Sequence, residues 1–255
     1  MEFSPFEKRL VSLVEKSKSR GRSRIRNALN HLEHAWTLRT VDLEMAAFRA
    51  ITAEEEAASG LMYTLQEIGY VNSEKLRPKY HWHKSAVTPF IIVLSLFFED
   101  FLKANGIQPI FQIKTEGEAE YLSMGIPIRV EDKPLLAQPI PPLNFGITVD
   151  GKPKSYREEL DRFLAERGAS SMETHAKELA NLRNKILYAA DSGYLKIAEL
   201  QDEFFAIRKR RVFAMLCAYL FVYPYSERQP FVQHCLDTFL VILGSMSNPY
   251  KNEEV

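Results

Sequence analysis

The chain has 255 residues, 46% hydrophobic and 26% charged, the composition of an ordinary globular protein long enough to bury a real core. Thirty-three basic and thirty-three acidic residues cancel, so no global field draws the chain to nucleic acid or to a membrane surface. Two lone cysteines, Cys217 and Cys235, exclude a disulfide framework and a zinc cage and fit a reducing, cytoplasmic setting.

The opening stretch "MEFSPFEKRLVSLVEKSKSR" starts acidic and has no continuous apolar segment, so no secretory leader is expected in it. Residues 1–22 are read as a short helix, Phe6 to Lys16, followed by a basic arm. Six Lys or Arg and no acid fall between Lys16 and Arg26, the pattern of a solvated arm or of a contact to nucleic acid or a partner. Residues 23–105 form the next unit. Ile25, Leu29, Leu32, Ala35 and Trp36 recur at helical spacing over Ser23–Arg39. Asp42 then caps a second helix, Leu43 to Ile68, which closes at Gly69. The short turn between them makes an antiparallel hairpin. A third helix, His83 to Asn105, is expected to bend at Pro89.

The texture changes over residues 106–154, which hold seven of the thirteen prolines and β-like runs such as "PIFQIK" and "FGITVD". This is read as a small β-containing insertion with hairpin-like turns. Residues 155–248 return to helix. Capping-box spacing at Ser155–Glu158 and Ser170–Glu173 starts helices near Tyr156 and Ser171. Helices are expected over 171–190, 195–223 and 229–246, the middle one carrying "RKRR" (208–211) on a solvated face. The apolar runs 86–98 and 212–223 fall short of the ~20 residues that span a bilayer. Both are expected to be core helices, with no membrane partner. The fold class is mainly α with one small β-containing insertion.

Two apolar stripes each carry one charge. On the 171–190 helix, Met172, Ala176, Leu179, Ile186, Leu187 and Ala190 share a face with Arg183 at its middle. On the 43–68 helix, Phe48, Ile51, Thr52, Ser59 and Met62 share a face with Glu55 at its centre, Glu54 and Glu56 flanking it. An unpaired buried charge costs several kcal/mol. The two are therefore expected to meet, with Glu56 as the alternative acid. The pair is then either a structural ion pair or the lining of a polar cleft that readies the guanidinium for an anion.

Three stretches carry a family resemblance. "HLEHAWTLRTVDLEMAAFRAITAEEEAASGLM" (31–62), "HWHK" (81–84) and "LRNKILYAAD" (182–191) together resemble the HEPN superfamily of α-helical domains, and within it the AbiV type of phage abortive-infection proteins. The first looks like that family's hairpin, with Glu55 and Glu56 at its paired acids. The second is similar to a His/Lys element that follows. The third looks like the late Arg-polar motif, with Arg183-Asn184 at its start and Tyr188 where the superfamily has His. The resemblance implies a HEPN-like antiparallel helical bundle, a homodimer, and action on RNA or a ribosome-associated target without metal or other cofactor. A phage or antitoxin protein is the other implied partner. In such a site a ribose 2′-hydroxyl attacks the adjacent phosphate, Arg183 stabilises the growing charge, and the His position moves protons. Tyr188, a weaker base, can orient water, donate to a phosphate or stack on a base. Arg183 and Tyr188 point ~140° apart on a continuous helix, so either the helix ends near Tyr188 or two copies share a cleft. Asn184 and Tyr188 do share a face.

Two other constellations stay open. "RNALNH" also fits the Arg-polar-x3-His pattern, through Arg26 and His31. A metal reading would draw on His31, His34, His81, His83 and the three glutamates, although their spacing matches no zinc pattern. Cys217, in an apolar run without a nearby base, is read as a buried small residue.

Overall fold

Eight helices and two small sheets make up the described part of the computed structural model, residues 1–104, 106, 108–130, 133–154, 156–166, 172–188 and 195–245. Helix α1 (Pro5–Lys16) opens with Pro at its first position and a capping box in which Ser4 and Glu7 satisfy each other's amides. Leu10, Leu13 and Val14 bury its inner face. The basic stretch beyond it is no free arm. Arg26 pairs with Glu15, Arg24 with Glu56, and Lys16 with Glu120, while the amide of Lys18 donates to the Tyr223 hydroxyl. An acid-free run can thus be partly docked by acids from elsewhere in the chain, while Lys16, Lys18, Arg20, Arg24 and Arg26 keep their exposed faces.

Helices α2 (Arg22–Leu38) and α3 (Leu43–Ile68) form the expected hairpin. Asp42 accepts the Met45 amide at 2.9 Å, and Gly69, at φ 78°, closes the far end in the left-handed conformation that favours glycine. Sixteen of the 26 residues of α3 are buried, which makes it the central helix. Its many alanines let neighbouring backbones approach. Gly21 and Gly60 mark a tight crossing: an added Cβ at Gly21 would clash with the Gly60 carbonyl oxygen, and one at Gly60 would lie 2.7 Å from Ile25 and 3.0 Å from the Gly21 carbonyl oxygen.

Helix α4 (His81–Ala104) follows a connector with one 3-10 turn and runs on through Pro89. It begins two residues earlier than the sequence suggests, which brings His81 onto the helix. Among the described residues α4 alone is long and apolar enough to cross a membrane, a length the shorter run 86–98 had not indicated. Here it packs against α3, and Trp82, Ala86, Val87, Phe90, Val93 and Leu94 join the main core.

The insertion is β-containing. Strands β1 (Ile110–Glu116), β2 (Ala119–Val130) and β3 (Lys133–Ala137) form an antiparallel meander, and β2 buries Leu122 and Met124 in the main core. Strands β4 (Thr148–Val149) and β5 (Lys152–Pro153) make a hairpin whose turn residues Asp150 and Gly151 both have positive φ, as a two-residue Asp-Gly turn requires.

Helices α5 (Arg157–Ala165), α6 (Met172–Leu187), α7 (Asp202–Val222) and α8 (Pro230–Ser245) complete the chain. The capping residues Ser155 and Ser170, the stripe side chains of Met172, Ala176 and Leu179, and the segment around Ala190 lie outside the described residues. The helix expected from residue 195 starts only at Asp202. The preceding segment is tethered instead, with the Ile197 amide donating to Glu44 at 2.7 Å. Within "RKRR" only Arg210 has the solvated face expected of the run. Arg208 is buried on Glu54, Arg211 shares that acid, and Lys209 pairs with Glu7.

Candidate functional site

Three consecutive glutamates in the middle of α3 are buried. Successive residues on a helix step by ~100°, so the three carboxylates leave the axis in three directions and meet three different helices. Glu54 accepts from Arg208 at 3.0 Å and Arg211 at 3.4 Å on α7. Glu56 accepts from Arg24 at 3.2 Å and Asn27 at 3.1 Å on α2. Glu55 turns toward α4, where His81 Nδ1 donates to its Oε2 at 2.7 Å and Lys84 Nζ lies 3.2 Å from the same oxygen. His81 and Lys84 are three residues apart, so one face of α4's first turn delivers both.

Glu55 is the most telling of the three. Its side chain is only 5% exposed and that of Lys84 8%, whereas His81 is 36% exposed and reaches the surface. Burial pushes the Glu55 carboxyl up, but the His81 hydrogen bond and the charges of Lys84, His81 and Arg183 outweigh it and hold the group below its ordinary range. An ionised carboxylate accepts the Nδ1 proton, which leaves Nε2 as the imidazole nitrogen free to take or give one. The second carboxylate oxygen, Oε1, is buried and has no hydrogen-bond partner.

Arg183 approaches this cluster without closing an ion pair among the described residues. Its guanidinium lies over the Phe48 ring, 5.3 Å from the centroid. It acts on Glu55 through space, and its Nε is buried with no hydrogen-bond partner. The expected direct contact between Glu55 and Arg183 is thus replaced by Glu55–His81–Lys84, with Arg183 as a nearby cation. Glu56 does not reach Arg183. Asn184 is exposed, and Tyr188, 68% exposed, follows the last residue of α6 while its amide still donates to the Asn184 carbonyl at 2.9 Å. The helix therefore ends where the sequence allowed it to.

The rival pairing is not assembled. Arg26 bonds Glu15 at the surface, and buried His31 faces Arg49, with Nδ1 3.4 Å from its Nη1. Burial, and then the Arg49 charge, lower the His31 pKa. His83 is a core residue. Its Nδ1 accepts the Arg77 amide at 3.3 Å, and burial pushes its pKa down to about 4, so it is neutral. Among the described residues no group of three or more His, Cys, Asp or Glu converges as metal ligands would. Burial pushes the Cys217 thiol up to about 12 and raises Cys235 as well, so neither is a ready nucleophile.

Sequence reading placed Glu55 correctly on a core-facing stripe, and gave His81 and Lys84 only as a His/Lys element of the resemblance and His81 as a metal candidate, without joining them to Glu55. The signal was the i, i+3 spacing of a cation and an imidazole at the start of an otherwise apolar helix. No family model, curated protein or solved structure matches this chain.

Proposed function

We propose that the chain is a HEPN/AbiV-like protein of phage defence, cytoplasmic and homodimeric, that acts on RNA as a metal-independent endoribonuclease. The observation that carries this reading is the buried Glu55 carboxylate holding a half-buried His81 by Nδ1, within the field of Arg183. This supplies the imidazole that position 188 lacks. His81 Nε2 takes the proton from a ribose 2′-hydroxyl, and the freed oxygen forms a bond to the adjacent phosphorus. The bond from phosphorus to the 5′-oxygen breaks, and that oxygen takes a proton back from His81, leaving a cyclic phosphate and a 5′-hydroxyl. Arg183 stabilises charge on the phosphoryl oxygens, for which a planar and permanently charged fork is suited. Glu55 orients the imidazole, as the acid of a triad does. Asn184 and Tyr188, exposed at the end of α6, would meet RNA directly or from a second copy.

Purified protein is incubated with total RNA in EDTA, as wild type, His81→Gln and Arg183→Ala, with folding checked by circular dichroism. Cleavage that is lost in both folded variants is the expected result. Cleavage undiminished in His81→Gln refutes the role of His81, and no cleavage by wild type refutes the enzyme. A second reading, a catalytically silent module for dimerisation and partner binding, draws support from Phe111, Leu135, Leu136 and Ile140, apolar side chains exposed on the insertion.

A further inference from the structure

A cleft of about 910 Å³ opens between the end of α3, the connector that follows it, and the segment before α8. This is at the large end of the roughly 300–1,000 Å³ of small-molecule sites and leaves room for a short run of nucleotides. Tyr80, one of its lining residues, immediately precedes His81 in the chain. The lining therefore runs in sequence up to the residue before the imidazole held by Glu55.

Its walls are cationic in a chain whose net charge is zero. Arg20, Arg77, Lys79 and Arg228 come from three separate segments and converge here, against one lining carboxylate, Glu74. None of these four side chains is in an ion pair among the described residues. By contrast Arg24, Arg26, Lys84, Arg208 and Lys209 are all paired. Arg228 lies over Gly69, where an added Cβ would be 3.7 Å from its Nη2. Glu67, which does not line the cleft, accepts the Arg20 amide at 2.8 Å.

The cleft also offers flat faces. Tyr80 is exposed, and Tyr63 carries the Arg20 guanidinium 5.4 Å from its ring centroid. Cations that neutralise phosphates, interleaved with aromatic rings on which unpaired bases stack, are how single strands are held without sequence readout. A duplex presents no splayed bases to stack on such rings.

We infer that this cleft binds single-stranded RNA and delivers it to His81, with Arg77, Lys79, Arg20 and Arg228 on phosphates and Tyr80 against a base. The inference rests on the reading of the chain as RNA-directed and names where its substrate runs. Its test separates binding from turnover. The probe is a fluorescein-labelled 2′-O-methyl oligouridylate, which has no 2′-hydroxyl to attack and cannot be cut by this chemistry. Fluorescence anisotropy is read over a salt series for wild type, Arg77→Ala/Lys79→Ala, Arg228→Ala and Tyr80→Ala. All four side chains changed are exposed, so folding is retained.

The double variant is expected to bind roughly tenfold more weakly, with the salt slope shallower by about 0.7 for each phosphate contact removed. Tyr80→Ala is expected to weaken binding with the slope unchanged. Equal binding by wild type and the charge variants would overturn the cleft while leaving RNA cleavage by His81 standing. Failure of wild type to bind the probe would overturn the cleft as well, and the EDTA cleavage assay then decides the enzyme separately. A polyglutamate peptide that binds this face more tightly than the probe would overturn it in favour of an acidic protein segment.

Discussion

Replacing Glu55 by alanine tests whether the glutamates of α3 are ranked by how deeply their partners are buried. The Glu55 side chain is 5% exposed and Lys84 8%, so the variant leaves an ammonium in the core with no acceptor among the described residues. Breaking a buried pair in this way costs about 3–5 kcal/mol. At roughly 2–4 °C per kcal/mol for a chain of this size, the melting temperature should fall by roughly 6–20 °C. Glu56→Ala is the control, because its partner Arg24 is 48% exposed and solvent can replace the lost contact. Its ion-pair loss should be about 1 kcal/mol or less. Thermal unfolding followed by circular dichroism at neutral pH compares the two. The double variant Glu55→Ala/Lys84→Met should recover much of the loss, since removing both charges leaves neither stranded. Equal melting temperatures for Glu55→Ala and Glu56→Ala, or no recovery in the double variant, would refute the ranking.

The same carboxylate gives a pH dependence. Because the folded pKa of Glu55 is held below its ordinary 4.5, its contribution is present above that value and is lost as pH falls through the folded pKa. Denaturant midpoints measured down that range should fall more steeply for wild type than for Glu55→Gln, and parallel curves would contradict this. His83, with a folded pKa of about 4 against an ordinary 6.5, makes the unfolded state bind the extra proton between these values. Stability should therefore drop as pH falls across that window, and His83→Phe should flatten the slope. Gly60→Ala should lower stability by about 1–3 kcal/mol in urea unfolding, because the new methyl meets Ile25 and the Gly21 backbone, despite the better helix propensity of alanine. With its thiol at about 12, Cys217 carries a thiolate fraction on the order of 10⁻⁴ at pH 8. Labelling by a thiol reagent should then be slow in the native protein and fast after denaturation.

Features fixed by local chemistry were readable in the sequence. Asp42 and Gly69 mark both ends of α3 because a cap acceptor and a left-handed glycine act within one turn. Asp150-Gly151 likewise announces its own hairpin. Glu55 was readable as an acid on a core-facing stripe. Its partners were not, since a stripe reveals the need for a cation but not which of several helices provides it. The 26-residue separation of Glu55 from His81, and the 154-residue separation of Glu54 from Arg208, carry no periodic signal. The same limit explains "RKRR" and the basic stretch after α1, where distant acids turn apparent surface charge into docked structure. The delayed start of α7 escaped notice because residues 195–201 are compatible with helix, and what holds them otherwise is tertiary: the Ile197 amide donates to Glu44, and Leu200 packs on the cluster around Phe205.

The angular spread of Glu54, Glu55 and Glu56 also determines where the gene can gain or lose codons. One residue deleted between Asp42 and Glu54 would rotate the triplet by ~100° about the axis and offer every acid to the wrong neighbour, although no charge had changed. Codons added before Asp42, in the turn that follows α2, would leave that angular key intact. Length variation should accumulate in that turn, and the stretch from the cap to the triplet should stay constant in size even where its side chains drift.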